Sequence, residues 1–298
     1  MTTCAIFGLG SMGLGSAVSL VKSGCETYGF DPISASRERF VEAGGCLSPL
    51  EEVAGRLDCA VVVVLNAAQT EDVLFGDNGV VPKMKSGAVV IACATVPPAF
   101  AREMASRCEA KGVHYLDAPI SGGAAKAAKG ELTIMAAGTD AAFAAAQPAL
   151  DAMAERVFTV GAEAGAGSAM KAVNQLLAGV HIAATAEAMT FAMTQGIAPA
   201  QVLEVISQCA GQSWMFDNRG PHIAEGDYTP HSAVNIWPKD LGIVMDVARE
   251  AKFSAPLTAT ALQQFMAAAG SGLGQEDDAA VAKVYARNAG LTLPDKDD

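Results

Sequence analysis

The chain has 298 residues, 51% of them hydrophobic and 17% charged, so it can bury a sizeable core and is not of disordered composition. Its formal net charge of −12, with no basic block, argues against nucleic acid or an anionic membrane surface as a partner, since both need clustered Lys and Arg. Seven scattered cysteines (Cys4, Cys25, Cys46, Cys59, Cys93, Cys108 and Cys209) form no C-x-x-C pair; they read as reduced thiols, not as a disulfide framework or a zinc site.

The elements follow in order. Thr3–Phe7 is predicted as a strand, a glycine turn follows, and Ser11–Lys22 continues as a helix. This strand starts so close to Met1 that no signal peptide is expected, and a cytoplasmic location follows. Glu26–Phe30 is a second strand that ends at Asp31. Ala60–Leu65 is continuously apolar, as a parallel strand covered on both faces should be, and the longest apolar runs, such as Cys59–Leu65, are read as far too short to span a bilayer. Ala88–Ala92, His114–Leu116 and Leu132–Ala136 are further strands. Strands alternating with helices at this spacing predict an α/β fold, a Rossmann-type doubly wound parallel sheet. After Gly161 the character changes. A breaker-free pattern from about Ser168 to Gln195 predicts one helix about 40 Å long. Helical patterns continue at Pro199–Cys209, Lys239–Glu250, Pro256–Ala269 and Asp277–Asn288, and the tail Leu293–Asp298 is expected to fray. Two domains are therefore expected: a dinucleotide-binding domain over 1–163 and an all-helical substrate and oligomerisation domain over 164–298.

The turn reads Gly8-Leu9-Gly10-Ser11-Met12-Gly13. A G-x-G-x-x-G string alone is weak evidence. Here it follows a strand and opens a helix, and Asp31 ends the next strand 18 residues after Gly13. Gly8 permits the tight turn, Gly10 lets a pyrophosphate approach the backbone, and Gly13 lets helix and strand pack closely. The phosphates would sit on the exposed amides and positive end of the helix. A carboxylate at Asp31 accepts from ribose hydroxyls and repels a 2′-phosphate, so NAD is expected over NADP. Arg37 and Arg39 are expected to face solvent.

Four more strings complete the pattern: Asp117-Ala118-Pro119-Ile120-Ser121-Gly122-Gly123, Gly165-Ala166-Gly167 leading to Lys171-Ala172-Val173-Asn174, Lys239-Asp240-Leu241, and Ala94-Thr95-Val96-Pro97. In order and spacing the five motifs closely resemble the β-hydroxyacid dehydrogenase family, which includes enzymes acting on 3-hydroxyisobutyrate and tartronate semialdehyde. The stretches Asp117–Gly138, Ser168–Ala183 and His231–Gly242 are most similar to its L-threonate dehydrogenase branch. The resemblance implies that Lys171 is the catalytic lysine and that Asn174 positions the substrate. It implies that Ser121, Gly122 and Gly123 hold a substrate carboxylate, that Thr95 and Lys239 lie beside the nicotinamide, and that Leu65 and Asn66 run along the dinucleotide. It also implies a homodimer or homotetramer and, for a threonate-like substrate, oxidation at C2 to a 2-oxo acid; many relatives oxidise C3 instead. Cys93-Ala94 departs from the family, where a serine often precedes the threonine.

The residues carry part of this unaided. Lys171 and Asn174 lie three apart on a predicted helix and so share a face. A lysine inside an apolar helix is costly unless it meets a polar cleft, although its stem could equally lie along the surface with its head in water. A lysine of ordinary pKa, about 10.4, is a poor base at neutral pH; partial burial and a second cation such as Lys239 would favour its neutral form. The Ser-Gly-Gly loop suits a carboxylate but, seen alone, is also an ordinary turn. His114, His181, His222 and His231 show no metal spacing, and no metal is expected. His231 and Trp237 are candidates to reach the substrate. Trp214, Met215 and Phe216 are expected in the core, and Asp277-Asp278 at a solvated helix start.

Overall fold

The computed structural model describes residues 1–296 and divides the chain into two compact units, one from Met1 to Lys171 and one from Ala172 onward. In the first unit, eight strands form one sheet: β1 (Thr3–Phe7), β2 (Glu26–Phe30), β3 (Cys59–Val62), β4 (Val89–Ala92), β5 (His114–Asp117), β6 (Ile120–Ser121), β7 (Leu132–Ala137) and β8 (Ala154–Gly161). The order is β2-β1-β3-β4-β5-β7-β6, with β8 also paired to β7. β1 to β5 are parallel throughout, in registers such as Cys4 with Cys59 and Ala92 with Asp117. The central strands are fully buried because helices cover both faces, which is why they read as unbroken apolar runs.

The sheet is not parallel to its far edge. β7 runs antiparallel to β5 and β6, and β8 runs parallel to β7. The ten residues between Ser121 and Leu132 are too few for a parallel crossover, so the chain turns back on itself there. Neither β6 nor β8 is legible in the sequence. β6 has two residues, and β8 is an exposed strand without an apolar face.

The covering helices of this unit are α1 (Ser11–Lys22), α2 (Ser34–Glu42), α3 (Leu50–Val53), α4 (Ala67–Phe75), α5 (Pro98–Glu109), α6 (Gly123–Ala127) and α7 (Asp140–Met153). On one face Leu20, Phe40, Ile91, Leu116 and Met153 are among the buried residues, and on the other Leu74, Val90, Met104 and Tyr115. Gly15 of α1 lies so close to Ala127 and Ala128 that a Cβ would strike backbone there, so the small-residue face of α1 packs directly on α6.

α8 (Ala166–Thr194) is 29 residues long and begins two residues before the predicted start. By length and composition it could cross a membrane, with a mean hydropathy of 1.4 over its best window, so the expectation that no apolar stretch is long enough applies only to the strands. Half of that window is buried within the structure, as in the core helix of a folded domain.

The second unit is built on α8 with α9 (Pro199–Ile206), α10 (Trp214–Glu225), α11 (Ile236–Glu250), α12 (Pro256–Ala268) and α13 (Ala282–Ala289). Ile182, Ala186 and Met189 of α8 join Trp237, Leu241 and Phe265 in its core. Trp237 stacks on Phe265 with ring centroids 5.4 Å apart, and a Cβ on Gly179 would crowd Trp237 and Leu241. The tail is held in part: Leu293 packs against this core, and Pro294 lies against Gly226, the left-handed residue ending α10. Asp297 and Asp298, the rest of the tail expected to fray, lie outside the described residues.

Candidate active site

Apart from Lys239, the predicted cofactor residues follow the carboxyl ends of the parallel strands, the edge at which open α/β sheets bind ligands. Gly8 follows β1 with φ +96°, and a Cβ there would overlap the Val63 carbonyl. Gly13 sits equally close to the Gly8 carbonyl. A Cβ on Gly10, by contrast, would project into open space, and Gly10 caps α1 without a side-chain hydrogen bond. Two glycines are therefore needed by the fold, and the third leaves the helix N-terminus open to an anion. These residues fit a dinucleotide pyrophosphate.

Asp31 immediately follows β2 and ties down the turn. Its Oδ2 accepts the Leu9 amide at 2.7 Å, and its Oδ1 accepts the Ile33 amide at 2.8 Å. Each oxygen keeps a lone pair for a ribose hydroxyl. Arg37 does not simply face solvent: its guanidinium folds back to donate to the Asp31 carbonyl. Arg39 stays on its own helix, bonded to Ala35 and Ser36. After β3, Leu65 is exposed, and Asn66 caps α4 by accepting the Gln69 amide at 2.9 Å while Gln69 Oε1 accepts the Leu65 amide. After β4, Cys93 and Ala94 are buried and Thr95 is half-buried. Burial pushes the Cys93 thiol up to about 12, so it stays protonated at neutral pH.

The segment from β5 to β6 gathers several of the predicted site residues. Asp117, 1% exposed, accepts the Gly165 and Ser168 amides at 2.8 Å each and the Ser168 hydroxyl at 2.7 Å. A strand-end carboxylate thus caps α8 from outside the helix, satisfying amides that have no partner inside it. Two residues of chain then lead to Ile120, whose carbonyl accepts from Lys171 Nζ at 2.8 Å. Lys171 is 8% exposed. Ser121, Gly122 and Gly123 follow immediately, with φ +131° at Gly122 and +71° at Gly123, conformations that keep the loop free of side chains. The single segment from Asp117 to Gly123 therefore sets the start of α8, holds its lysine and supplies the loop beside it.

In the helical unit, Asn174 is half-buried and donates to Gln175 Oε1 at 2.9 Å. Gln175 Nε2 donates to buried Asp240 at 2.5 Å, and Lys239 Nζ lies 2.6 Å from the other Asp240 oxygen. Lys239 is thus paired with a carboxylate. Its helix starts at Ile236, three residues before the predicted start.

Family models match both parts of the chain: the NAD binding domain of 6-phosphogluconate dehydrogenase over residues 3–161, and the NAD-binding domain of NADP-dependent 3-hydroxyisobutyrate dehydrogenase over 165–285. An L-threonate dehydrogenase of Cupriavidus necator is 50% identical over 98% of this chain and 97% of its own length. That of Escherichia coli K12 is 48% identical over 97% and 95%. The chain belongs to the β-hydroxyacid dehydrogenase family. A crystal structure titled 3-hydroxyisobutyrate dehydrogenase, from Salmonella typhimurium, superposes with a TM-score of 0.90 at 46% identity, covering 95% of this chain and all of that one. The protein is an NAD-dependent oxidoreductase of hydroxy acids.

Several side chains of this dehydrogenase stand where sequence reasoning did not put them. Trp237, a candidate to reach the substrate, lies in the core of the helical unit, 3% exposed, and donates to Asp278 at 2.8 Å. Asp277 and Asp278 are no solvated helix start, for both are fully buried. Asp277 accepts the His231 and Ala279 amides, and Asp278 forms an ion pair with Arg219. Burial raises the Asp278 carboxyl, and Arg219 opposes that. A pair of acids before a helix looks like a capping signal; only the distant Arg219 on α10 makes it a core element. Phe216 is in the core as expected, Met215 packs against it, and Trp214 is exposed. His222, His231 and Asp277, far apart in sequence, bring their ligand atoms within 4.8 Å of one another. His222 Nδ1 lies 2.7 Å from the Asp227 carbonyl, and its ring meets His231 edge to face. Spacing along the chain could not reveal this cluster.

Proposed function

We propose that this dehydrogenase oxidises L-threonate at C2 to 2-oxo-tetronate (2-dehydro-L-erythronate), with Lys171 as general acid and base. The observation that carries the proposal is the buried Lys171, held by the carbonyl that immediately precedes Ser121–Gly123. The identity to L-threonate dehydrogenases supports the choice of substrate. NAD⁺, when bound, supplies the hydride acceptor at its C4. It would rest on Gly8–Gly13 and Asp31, with Leu65, Asn66, Thr95 and Lys239 as its further contacts. Ser121–Gly123 receives the substrate carboxylate through a hydroxyl and unhindered amides. Asn174 holds the reacting hydroxyl, and Lys171 Nζ takes its proton during oxidation and returns one to the carbonyl oxygen in the reverse direction.

NADH formation with a panel of four-carbon sugar acids and 3-hydroxy acids tests the proposal. L-threonate should give the highest kcat/KM; a 3-hydroxy acid such as 3-hydroxyisobutyrate in its place would move the reaction to C3. Failure with every acid, despite NAD binding, would leave a non-catalytic nucleotide-binding module. The proposal includes a cytoplasmic homodimer or homotetramer that engages neither nucleic acid nor membrane. Met170, Val173 and Leu177 form an exposed apolar stripe on α8 that suits a subunit interface. A sedimentation mass of 30.4 kDa would refute the oligomer.

A further inference from the structure

Four polar side chains of the helical unit form an ordered series from Asn174 through Gln175 and Asp240 to Lys239. Its direction is fixed by what each group can do. An ionised carboxylate only accepts, so Asp240 requires the NH₂ group of Gln175 on its side. Gln175 must then turn Oε1 the other way, where Asn174 Nδ2 donates to it. That leaves Asn174 with one N–H and its carbonyl oxygen in defined places. An isolated amide could interchange oxygen and nitrogen by a half turn; this one would set two donors or two acceptors against each other if it did.

The burial agrees with a network built to hold one arrangement. Asp240 is 2% exposed and Gln175 7%, so water cannot readily substitute for a lost partner. Lys239, with its side chain about a third exposed, balances the charge of Asp240. Gln175 and Asp240 are joined across α8 and α11, 65 positions apart in sequence.

We propose that Asp240, acting through Gln175, is the positioning residue that fixes which way the Asn174 amide faces. This rests on the assignment of Asn174 to the substrate hydroxyl. Neither Gln175 nor Asp240 needs to touch substrate or cofactor for this role. The arrangement also specifies its own rescue. Asp240→Asn removes the acceptor-only end, so both amide orientations become possible. Gln175→Glu alone sets two carboxylates against each other. In the double variant, the amide introduced at position 240 donates to the carboxylate introduced at position 175, which in turn accepts from Asn174. Both the polarity and the total charge are then restored.

The test is a double-mutant cycle on the whole protein with two readouts. With L-threonate, each single variant should lose on the order of ten-fold or more in kcat, roughly what one buried hydrogen bond is worth. The double variant should regain most of that loss. A double variant that recovers its melting temperature but not its kcat would reduce the network to a structural role and overturn the proposal. The second readout needs no turnover: the side-chain amide protons of Asn174 by ¹⁵N NMR, assigned with Asn174→Asp. In the parent both should exchange slowly with solvent at the shifts of one amide orientation; in Asp240→Asn both should move toward values averaged over two orientations and exchange faster with solvent, and in the double variant they should return. An unchanged pair in Asp240→Asn overturns the proposal even if no hydroxy acid is turned over. A parent that binds NADH but oxidises none of the acids would refute the substrate assignment and leave the amide result standing.

Discussion

Removing the Asp117 carboxylate tests how α8 is held. Three hydrogen bonds end on it, from two backbone amides and the Ser168 hydroxyl. Asp117→Ala leaves both amides buried without a partner, at about 1–3 kcal/mol for each unsatisfied group, so a loss of about 3–4 kcal/mol is expected. For a unit of this size that lowers the melting temperature by roughly 6–15 °C. Asp117→Asn should be much milder. Its carbonyl oxygen can accept both amides, and its NH₂ can donate to Ser168 Oγ, so both amides stay paired while the charge and the acceptor of the Ser168 hydroxyl are lost. Losing the charge costs little because burial opposes it: desolvation is the largest influence on this carboxyl and raises it above its ordinary range, against the hydrogen bonds. A loss of about 1 kcal/mol is expected for Asp117→Asn, the difference between charged and neutral acceptors. Thermal and urea unfolding of the two variants measure the difference, and equal losses would refute the capping argument. The sign of the pH dependence follows too. A carboxyl raised in the folded state contributes stability that is fully present below the unfolded value of about 3.9 and is lost as pH rises through the raised one. Relative to Asp117→Asn, the parent protein should therefore gain stability as pH falls from neutral toward about 4.

Other substitutions separate chemistry from architecture. Lys171→Ala should abolish turnover while leaving the NADH dissociation constant nearly unchanged in a fluorescence titration; retention of more than a few per cent of activity would exclude it as the acid–base group. Asp31→Ala removes the partner of the Leu9 amide and the expected ribose acceptor, so KM for NAD⁺ should rise about ten-fold or more and the preference over NADP⁺ should narrow. An unchanged ratio of kcat/KM for the two cofactors would count against that role. Arg219→Met strands the buried Asp278 carboxylate without its cation and should cost about 3–5 kcal/mol in urea unfolding, whereas an exposed pair such as Arg249 with Asp246 should cost under about 1 kcal/mol when broken.

The sequence by itself determined what depends on neighbours along the chain. Strand and helix periodicity, the glycine turn and the acid after β2 are local signals, and β1, α1 and β2 fall where the pattern puts them. That Lys171 and Asn174 lie on one long helix was likewise legible, because the breaker-free pattern runs through both. What was not legible depends on partners far apart in sequence. Asp117 read as part of a loop motif until the structure set it against Ser168, 51 positions away. Asp277 and Asp278 read as a solvated helix start because their local context is polar, and only Arg219 and Trp237 decide that they are buried. The antiparallel return of β7 was hidden as well, since a strand's own residues do not state its direction. Polar groups buried in a core are stabilised by specific distant partners, and such partners exist only once the chain has folded.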